Sequence, residues 1–454
     1  MIELSILGGA GEIGANCCYL NMDGIGMVID AGLHPRKSDR TAFPATHLLG
    51  NRSIEALLLT HAHTDHTGGI PFLFRTHPFR RTIATRPTRD LTAIMMRDNI
   101  KLIRKEHFEG IERDEMSMYS TDFLDFFTMA CEGYLYGEDI TVDSLHSSSA
   151  VNVKFFDAGH ILGSAGILAE CNGRSVFHTG DVNFRKQQLI PAAAFPKHHV
   201  DVLICESTNG ATEDLPDYRT ETKRLTAFIN EITTNNGSVL IPAFSCGRTQ
   251  EILTLLYQLM RKGSIPTLPV YSGGMARHIS RIYDVHTYSV PRVQPGFEMT
   301  DIPQQQIAYD HLTTDRYMKE PSIVVTASGM MDEGTTSYRL AREWMKHQSF
   351  GIAFSGYADP TSPGYALLHS EPNKDFLFGG RKARRSCRTG QFRFSAHADR
   401  DSIVDFITTM KPKHLFLIHG ELDASGWIGA RIRDELPQTK VYLPTLGKIY
   451  RIEE

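Results

Sequence analysis

Thr60-His61-Ala62-His63-Thr64-Asp65-His66 is the stretch on which the reading of this chain turns. It leaves the apolar run ALLLT (56–60), which reads as a buried strand bounded by a turn. A turn at a strand end can point His61 and His63 to one side and Asp65 and His66 to another. That supplies nitrogen and oxygen donors of the kind zinc accepts. A polar turn with satisfied histidines is the bland alternative, and four fixed positions in one short loop count against it.

One loop cannot complete two metal sites, so further donors are expected at other strand ends, beside glycines that let backbones crowd. Three positions share that grammar. His160 follows KFFDAG, Asp181 follows SVFHTG, and His419 follows HLFLI and precedes Gly420. Each alone is more often a satisfied core or turn residue than a ligand, and it is the shared pattern that points to a site. A carboxylate such as Asp181 is able to bridge two ions.

Working outward, a length of 454 residues exceeds what one core usually supports, so two compact units are expected. The formal net charge of −4 excludes a globally basic nucleic-acid coat but not a basic groove. The opening MIELSILGGAGEIG has no basic n-region and does not read as a secretory signal, and no apolar run is long enough to span a membrane. The seven cysteines form no C-x-x-C pair and several sit in apolar strands, which predicts a reducing, cytoplasmic setting.

Short apolar runs at Ile2–Leu7, Met27–Asp30, Lys154–Asp157, Ser175–His178 and Asp201–Cys205 predict a sheet-rich first half. A βαβ rhythm follows. It has helices over Thr220–Asn235, Thr249–Lys262 and Thr335–His347, and strands at Ser238–Ile241, Pro269–Tyr271, Ser322–Thr326 and Gly351–Phe354. The end returns to strands at Phe392–Phe394, His414–His419 and Lys440–Tyr442 and a helix over Ser402–Met410. The second architecture reads as inserted into the first.

In the order of these motifs the chain resembles the β-CASP branch of the metallo-β-lactamase superfamily over nearly its whole length. Asp30 in MVIDAG matches the first superfamily motif, the His61/His63/Asp65/His66 cluster the second, His160 the third and Asp181 the fourth. Glu206 in CESTNG, His397 in FSAHAD and His419 in LIHGE match motifs A, B and C. The resemblance implies an α/β protein: an αββα sandwich (1–206 and 386–454) interrupted by an inserted α/β cap (207–385). It implies two zinc ions, one held by His61, His63 and His160, the other by Asp65, His66 and His419, with Asp181 bridging and Asp30 orienting the imidazoles. Asp65, Asp181, Glu206 and His397 then carry the catalysis. A two-zinc-activated hydroxide attacks RNA phosphorus, His397 protonates the leaving ribose oxygen, and Glu206 holds that imidazole, giving 5′-phosphate and 3′-hydroxyl ends. Asp399 is a rival partner for His397, and Glu206 reads equally as a turn-capping carboxylate.

Ser328-Gly329-Met330 and Gly247-Arg248-Thr249-Gln250-Glu251 resemble family loops, so Ser328, Gly329 and Arg248 are candidate phosphate contacts; a βα turn and a helix start read as well. Arg381, Lys382, Arg384, Arg385 and Arg388 form a basic run that reads as a solvated face or an RNA track, with Arg80, Arg81, Arg86 and Arg89 a second one. Two stretches depart from the family pattern: SGYADPTSPGYALL around Gly356, and YSGGMA at Tyr271–Ala276. Single-stranded RNA is the expected partner, no membrane is, and a homodimer stays open. DNA-repair members typically carry valine at motif C, so His419 favours RNA over a DNA-processing alternative. A repurposed metal hydrolase and an inactive scaffold are further alternatives, and the scaffold is opposed by the full set of matched ligands. The GGAGEIG opening leaves internal and 5′-end attack both open.

Overall fold

The computed structural model describes residues 1–104, 108–312 and 315–453. The chain divides into two compact units, one comprising 1–186, 192–213 and 397–454, the other 187–191 and 214–396.

Among the described residues, the first unit contains two seven-stranded sheets. One runs Ile449–Ile452, Ile2–Gly8, Cys17–Met22, Ile25–Ile29, Ala56–Leu58, Arg81–Thr85, Cys131–Tyr134. The other runs Lys440–Tyr442, His414–Ile418, Val202–Glu206, Arg174–His178, Ala165–Cys171, Ala150–Asp157, Ile140–Asp143. Strand side chains alternate between faces, and here both faces are apolar because both are covered. Leu4, Ile6, Met27 and Ile29 join Val153, Phe155, Ile204 and Phe416 in the layer between the sheets. Their neighbours Leu7, Val28 and Leu57 face outward, onto Ile70 and Leu73 of helix Ile70–Thr76 and Met96 and Ile100 of helix Arg86–Ile103. On the far side Leu203, Cys205, Leu415 and Leu417 pack on Ile403 and Ile407 of helix Arg400–Met410 and Ile428 of helix Leu422–Glu435. This is the expected αββα sandwich, and burying each such leucine or isoleucine stabilises it by roughly 1.5–3 kcal/mol.

The second unit is a doubly covered parallel sheet in the order Gln305–Gln306, Val270–Ser272, Ile323–Thr326, Val239–Pro242, Gly351–Phe354, Arg388–Gln391. Helices Tyr218–Thr234, Arg248–Arg261, Met275–Val285 and Thr336–Trp344 alternate with its strands. Trp344 is fully buried, packs against Phe350, and donates from Nε1 to Ser238 O at 3.2 Å.

One expected strand is absent. Phe392–Phe394 lies outside the sheet, whose edge strand is the polar Arg388–Gln391 just before it. Phe392 N still donates to Phe354 O, but Arg393 N goes to the Glu221 carboxylate (2.6 Å) and Phe394 N turns back to Phe392 O (3.0 Å). A side chain has taken the ladder's donor, so the alternating phenylalanines anchor a loop. No helix is long and apolar enough to cross a membrane among the described residues.

Candidate metal centre

The strands that carry the candidate ligands all point their C-terminal ends at one edge of the sandwich. Ile25–Ile29, Ala56–Leu58 and Arg81–Thr85 are mutually parallel, and so are Arg174–His178, Val202–Glu206 and His414–Ile418. Ala150–Asp157 shares the second set's direction through two antiparallel steps. Asp30, the His61–His66 loop, His160, Asp181, Glu206 and His419 therefore leave their strands at the same edge. Crowding there is severe. A Cβ on Gly32 would lie 1.7 Å from Asp65 O, so only glycine fits. Asp30 (φ 59°) and His419 (φ 49°) sit in the left-handed region, a conformation non-glycine residues keep where surrounding structure enforces it.

Two donor nests result. In the first, His63 Nδ1 lies 3.1 Å from His61 Nε2 and 3.2 Å from His160 Nε2, and Asp181 Oδ2 lies 3.5 and 3.7 Å from the same two Nε2 atoms. In the second, Asp65 Oδ2 is 3.3 Å from His419 Nε2 and 3.8 Å from His66 Nε2, and Asp181 Oδ1 is 3.4 Å from His66 Nε2. His419 turns its other nitrogen, Nδ1, to Asp181 Oδ1 at 3.1 Å. The two oxygens of Asp181 thus face different nests, and its buried Oδ1 has no hydrogen-bond partner. Among the described residues, three groups are able to hold an ion: His61, His63, His160 and Asp181 in one, Asp65, His66 and His419 in another, and a third in which Glu206 and His397 join Asp181 and His419.

Supporting groups fix the tautomers. Asp30 accepts from Thr60 N (2.8 Å), Thr60 Oγ1 (2.6 Å) and His66 Nδ1 (2.7 Å), which leaves the His66 Nε2 lone pair for the nest. Thr60 Oγ1 also lies 3.1 Å from His61 Nδ1, and Thr208 Oγ1 lies 3.1 Å from His419 Nδ1. Burial, reinforced by the charge of His66, pushes His61 well down. Burial alone would lower His66 and His419 too, but Asp181, Asp30 and Asp65 raise His66, and Asp181 with Asp65 lifts His419 to about 10. A dication displaces such protons.

Beside the nests, His397 Nδ1 sits 3.1 Å from both oxygens of buried Glu206, and Glu206 also accepts from Val182 N at 2.7 Å. Burial depresses His397, yet the carboxylates of Glu206 and Asp181 raise it overall. Asp399 is elsewhere engaged: it caps helix Arg400–Met410 through Ser402 N (3.0 Å) and pairs with Arg185 (2.9 Å). Of the two carboxylates weighed as partners, Glu206 is the one against the imidazole. Three groups escaped the sequence reading. Asn16 Nδ2 lies 3.1 Å from His66 Nε2 and donates to Asp65 O; Thr208 supports His419; His178, held down to about 4 by burial, accepts from Gly180 N through Nδ1. Asn16 closes the GGAGEIGAN opening, and that position beside a glycine loop was its one sequence signal.

Ser328, Gly329 and Arg248 belong to the second unit. Their loops follow Ile323–Thr326 and Val239–Pro242, which pair in parallel, so both emerge at the carboxyl edge of the sheet, the usual ligand edge of such folds. Ser328 Oγ is tied to Asp332 (2.6 Å), and Arg248 Nη1 is buried without a hydrogen-bond partner. The rest of the GRTQE segment is structural: Gln250 Oε1 accepts from Gly247 N at 2.9 Å, and Glu251 takes the backbone N–H groups of Gln188, Leu189 and Ile190. The basic run is largely spent as well. Arg384 pairs with Asp375 and Arg388 with Glu231, both still exposed, and Arg385 is buried on Ser370 and the Cys387 carbonyl, so among the described residues Arg381 and Lys382 are the exposed charges of the run without an ion pair. In the other run Arg80, Arg81 and Arg89 pair with Glu55, Glu132 and Asp90.

Family models match for the Metallo-beta-lactamase superfamily over residues 10–101, the Beta-Casp domain over 249–367 and the Zn-dependent metallo-hydrolase RNA specificity domain over 382–444. An RNase J-like protein of Methanocaldococcus jannaschii is 30% identical over 426 residues, covering 93% of each chain. Cleavage and polyadenylation specificity factor 73 of Drosophila melanogaster is 28% identical across 93% of this chain, and endoribonuclease YSH1 of Mycosarcoma maydis 26% across 92%. The match spans 60% and 47% of those two longer relatives. A solved protein of unknown function from Enterococcus faecalis V583 superposes with a TM-score of 0.58 at 14% identity, covering 99% of both chains, a likeness of fold.

Proposed function

Because the chain belongs to the β-CASP branch of the metallo-β-lactamase superfamily, we propose that it is a metal-dependent ribonuclease that hydrolyses phosphodiester bonds in single-stranded RNA with two zinc ions. The observation that carries this reading is the pair of donor nests sharing Asp181, with a carboxylate-held imidazole alongside. The match to an RNA specificity domain and the ribonuclease names of the relatives support RNA as substrate.

The residues fit the ions. A tetrahedral zinc with bonds of about 2.0–2.1 Å needs donors about 3.3–3.4 Å apart. The nest distances of 3.1–3.7 Å and 3.3–3.8 Å straddle that value. Asp30, Asp65 and Asp181 bring three negative charges to one strand edge, which two dications would offset, while Glu206 is faced by the His397 imidazole. His61, His63, His160 and Asp181 would hold one ion, and Asp65, His66, His419 and Asp181 the other. When bound, the pair supplies Lewis acidity toward a phosphoryl oxygen and an activated water.

The chain's own groups do the rest. Asp30 keeps His66 in its donor tautomer, and Thr60 and Thr208 orient His61 and His419. Glu206 holds His397 by Nδ1 and favours its charged form. Nε2 is then the nitrogen that delivers a proton to the departing ribose oxygen, a step worth about 10²–10⁴-fold. In the second unit Arg248, Ser328 and Gly329 are proposed phosphate contacts, with residues 207–385 as the inserted cap. The buried free thiols suit a reducing cytoplasm.

The test pairs 5′-labelled RNA and DNA oligonucleotides of one sequence with zinc-loaded protein, beside His397→Ala and chelated samples. RNA cleavage abolished in both controls is expected, and the product ladder separates internal from 5′-end attack. Equal or better cleavage of DNA overturns the substrate assignment.

A further inference from the structure

We propose that a cleft in the second unit, between helix Met275–Val285 and the segment 299–304, is an anion site that takes a phosphate group. It is distinct from the metal centre, and nothing in the proposed reaction uses it.

The cleft begins in the helix's spacing. Arg277, Ser280, Arg281 and Asp284 recur at i, i+3, i+4 and i+7, which places them along one face. That face, with Thr300 and Gln304 opposite, lines a cleft of about 70 Å³ that is open to solvent on one side. That volume is well below the roughly 300–1,000 Å³ of drug-sized ligand sites, so a single phosphate group is the scale of occupant.

Its electrostatics are unbalanced. Arg277 is half-buried and its Nη1 is buried with no hydrogen-bond partner, an uncommon condition for a guanidinium that otherwise marks a missing acceptor. Among the described residues, neither Arg277 nor Arg281 has an ion-pair partner. Asp284, one turn beyond Arg281, is the nearby acid, but its two oxygens accept from Met299 N (2.5 Å) and Thr300 N (3.2 Å). That carboxylate ties the segment to the helix rather than neutralising the arginines. Two guanidiniums against one engaged carboxylate leave the cleft positive by one charge. Ser280 Oγ is committed to Ala276 O (2.9 Å), and Gln304, whose Oε1 accepts from Ser272 Oγ (2.5 Å), has only a long 3.4 Å bond from Nε2 to Met299 O, which leaves that amide N–H the loosely held donor. Two guanidiniums one turn apart, plus an amide donor, match the oxygens of a tetrahedral phosphate. The cleft follows YSGGMA, the stretch that departs from the family pattern.

The same chemistry is offered by a free nucleotide or by the backbone of an RNA strand, and two ligands separate them. Binding of adenosine 5′-monophosphate and of a cleavage-resistant, 5′-hydroxyl 2′-O-methyl RNA oligonucleotide is measured by calorimetry on the full chain. The proteins are the parent, Arg277→Met, Arg281→Met and Arg277→Lys. Any nucleotide at the metal centre is a background common to all four. Loss of one nucleotide-binding event by about ten-fold or more in both methionine variants, with partial recovery in Arg277→Lys, is the expected result for a nucleotide site. Weakening confined to the oligonucleotide, with a shallower salt dependence, assigns the cleft to strand phosphates. Affinities for both ligands within two-fold of the parent in variants that melt normally overturn the proposal. Arg277→Lys retains the charge and keeps the test usable if a methionine variant fails to fold.

Discussion

Replacing Asp30 with asparagine is expected to empty one metal nest while sparing the other. The carboxylate accepts three hydrogen bonds, from Thr60 N, Thr60 Oγ1 and His66 Nδ1. Asparagine is nearly isosteric and tolerates the left-handed backbone at φ 59°, so shape and strain are conserved. It has only one acceptor oxygen. If that oxygen keeps Thr60 N, the new NH2 faces the His66 Nδ1–H and the Thr60 hydroxyl. If it turns over, the NH2 meets the Thr60 backbone N–H. Either way a buried donor is orphaned, at a cost of about 1–3 kcal/mol. His66 escapes by moving its proton to Nε2, the atom aimed at the second nest, and ceases to be a ligand. Loss of such a supporting partner typically weakens a metal by about 10–100-fold, or roughly 1.4–2.7 kcal/mol. Competition with a chromogenic chelator should resolve two parent affinities, with the variant weakened at one. Dialysed Asp30→Asn should retain close to one zinc where the parent retains two. Two zinc ions held at parental affinity by a folded variant would refute the tautomer argument.

Three further outcomes are expected. His397→Ala and Glu206→Gln should each lose about 10²–10⁴-fold in kcat with metal content unchanged, because neither is placed as a ligand; a parallel loss of zinc would reassign them. Burial places all seven cysteine thiols out of reach and raises them, Cys131, Cys246 and Cys387 to about 12, so a thiol reagent should label none in native protein and all in denaturant. Asp399→Ala should lose about 1 kcal/mol at pH 7, read from the urea midpoint, through the helix cap and the Arg185 pair. Burial raises the Asp399 carboxyl, but Ser402 and Arg185 outweigh it and hold it below the ordinary carboxylate value. A depressed acid stabilises above its unfolded pKa and loses that contribution as pH falls through the folded one. The gap between Asp399→Ala and parent should therefore close as pH falls below about 4.

How much was legible depended on whether a signal was local. The His61–His66 loop announces itself because its donors are contiguous. His160, Asp181 and His419 are readable because each repeats the pattern of an apolar strand, then a ligand beside a glycine. Asn16 and Thr208 are ordinary polar residues until the fold carries them to His66 and His419, and no spacing encodes that approach. Arg388–Gln391 has no apolar run, so this edge strand hid behind the Phe392–Phe394 alternation that follows it. The basic run looked like a free surface because its partners Asp375, Glu231 and Ser370 lie 9, 157 and 15 residues away from Arg384, Arg388 and Arg385. Charge patterning shows where cations are, whereas pairing depends on tertiary structure.

The contact between Asp65 and His419 joins positions 354 apart in sequence. Its consequence is temporal. A nuclease made on a ribosome is born beside messenger and ribosomal RNA, where early activity would be hazardous. Here the first loop carries three imidazoles from the start, yet the second nest stays open until the strand His414–Ile418 docks beside Val202–Glu206, and long-range pairing of that kind is slow. The order of synthesis thus leaves the second nest incomplete until that strand pairs, and a metal bound there would hold the late strand in place.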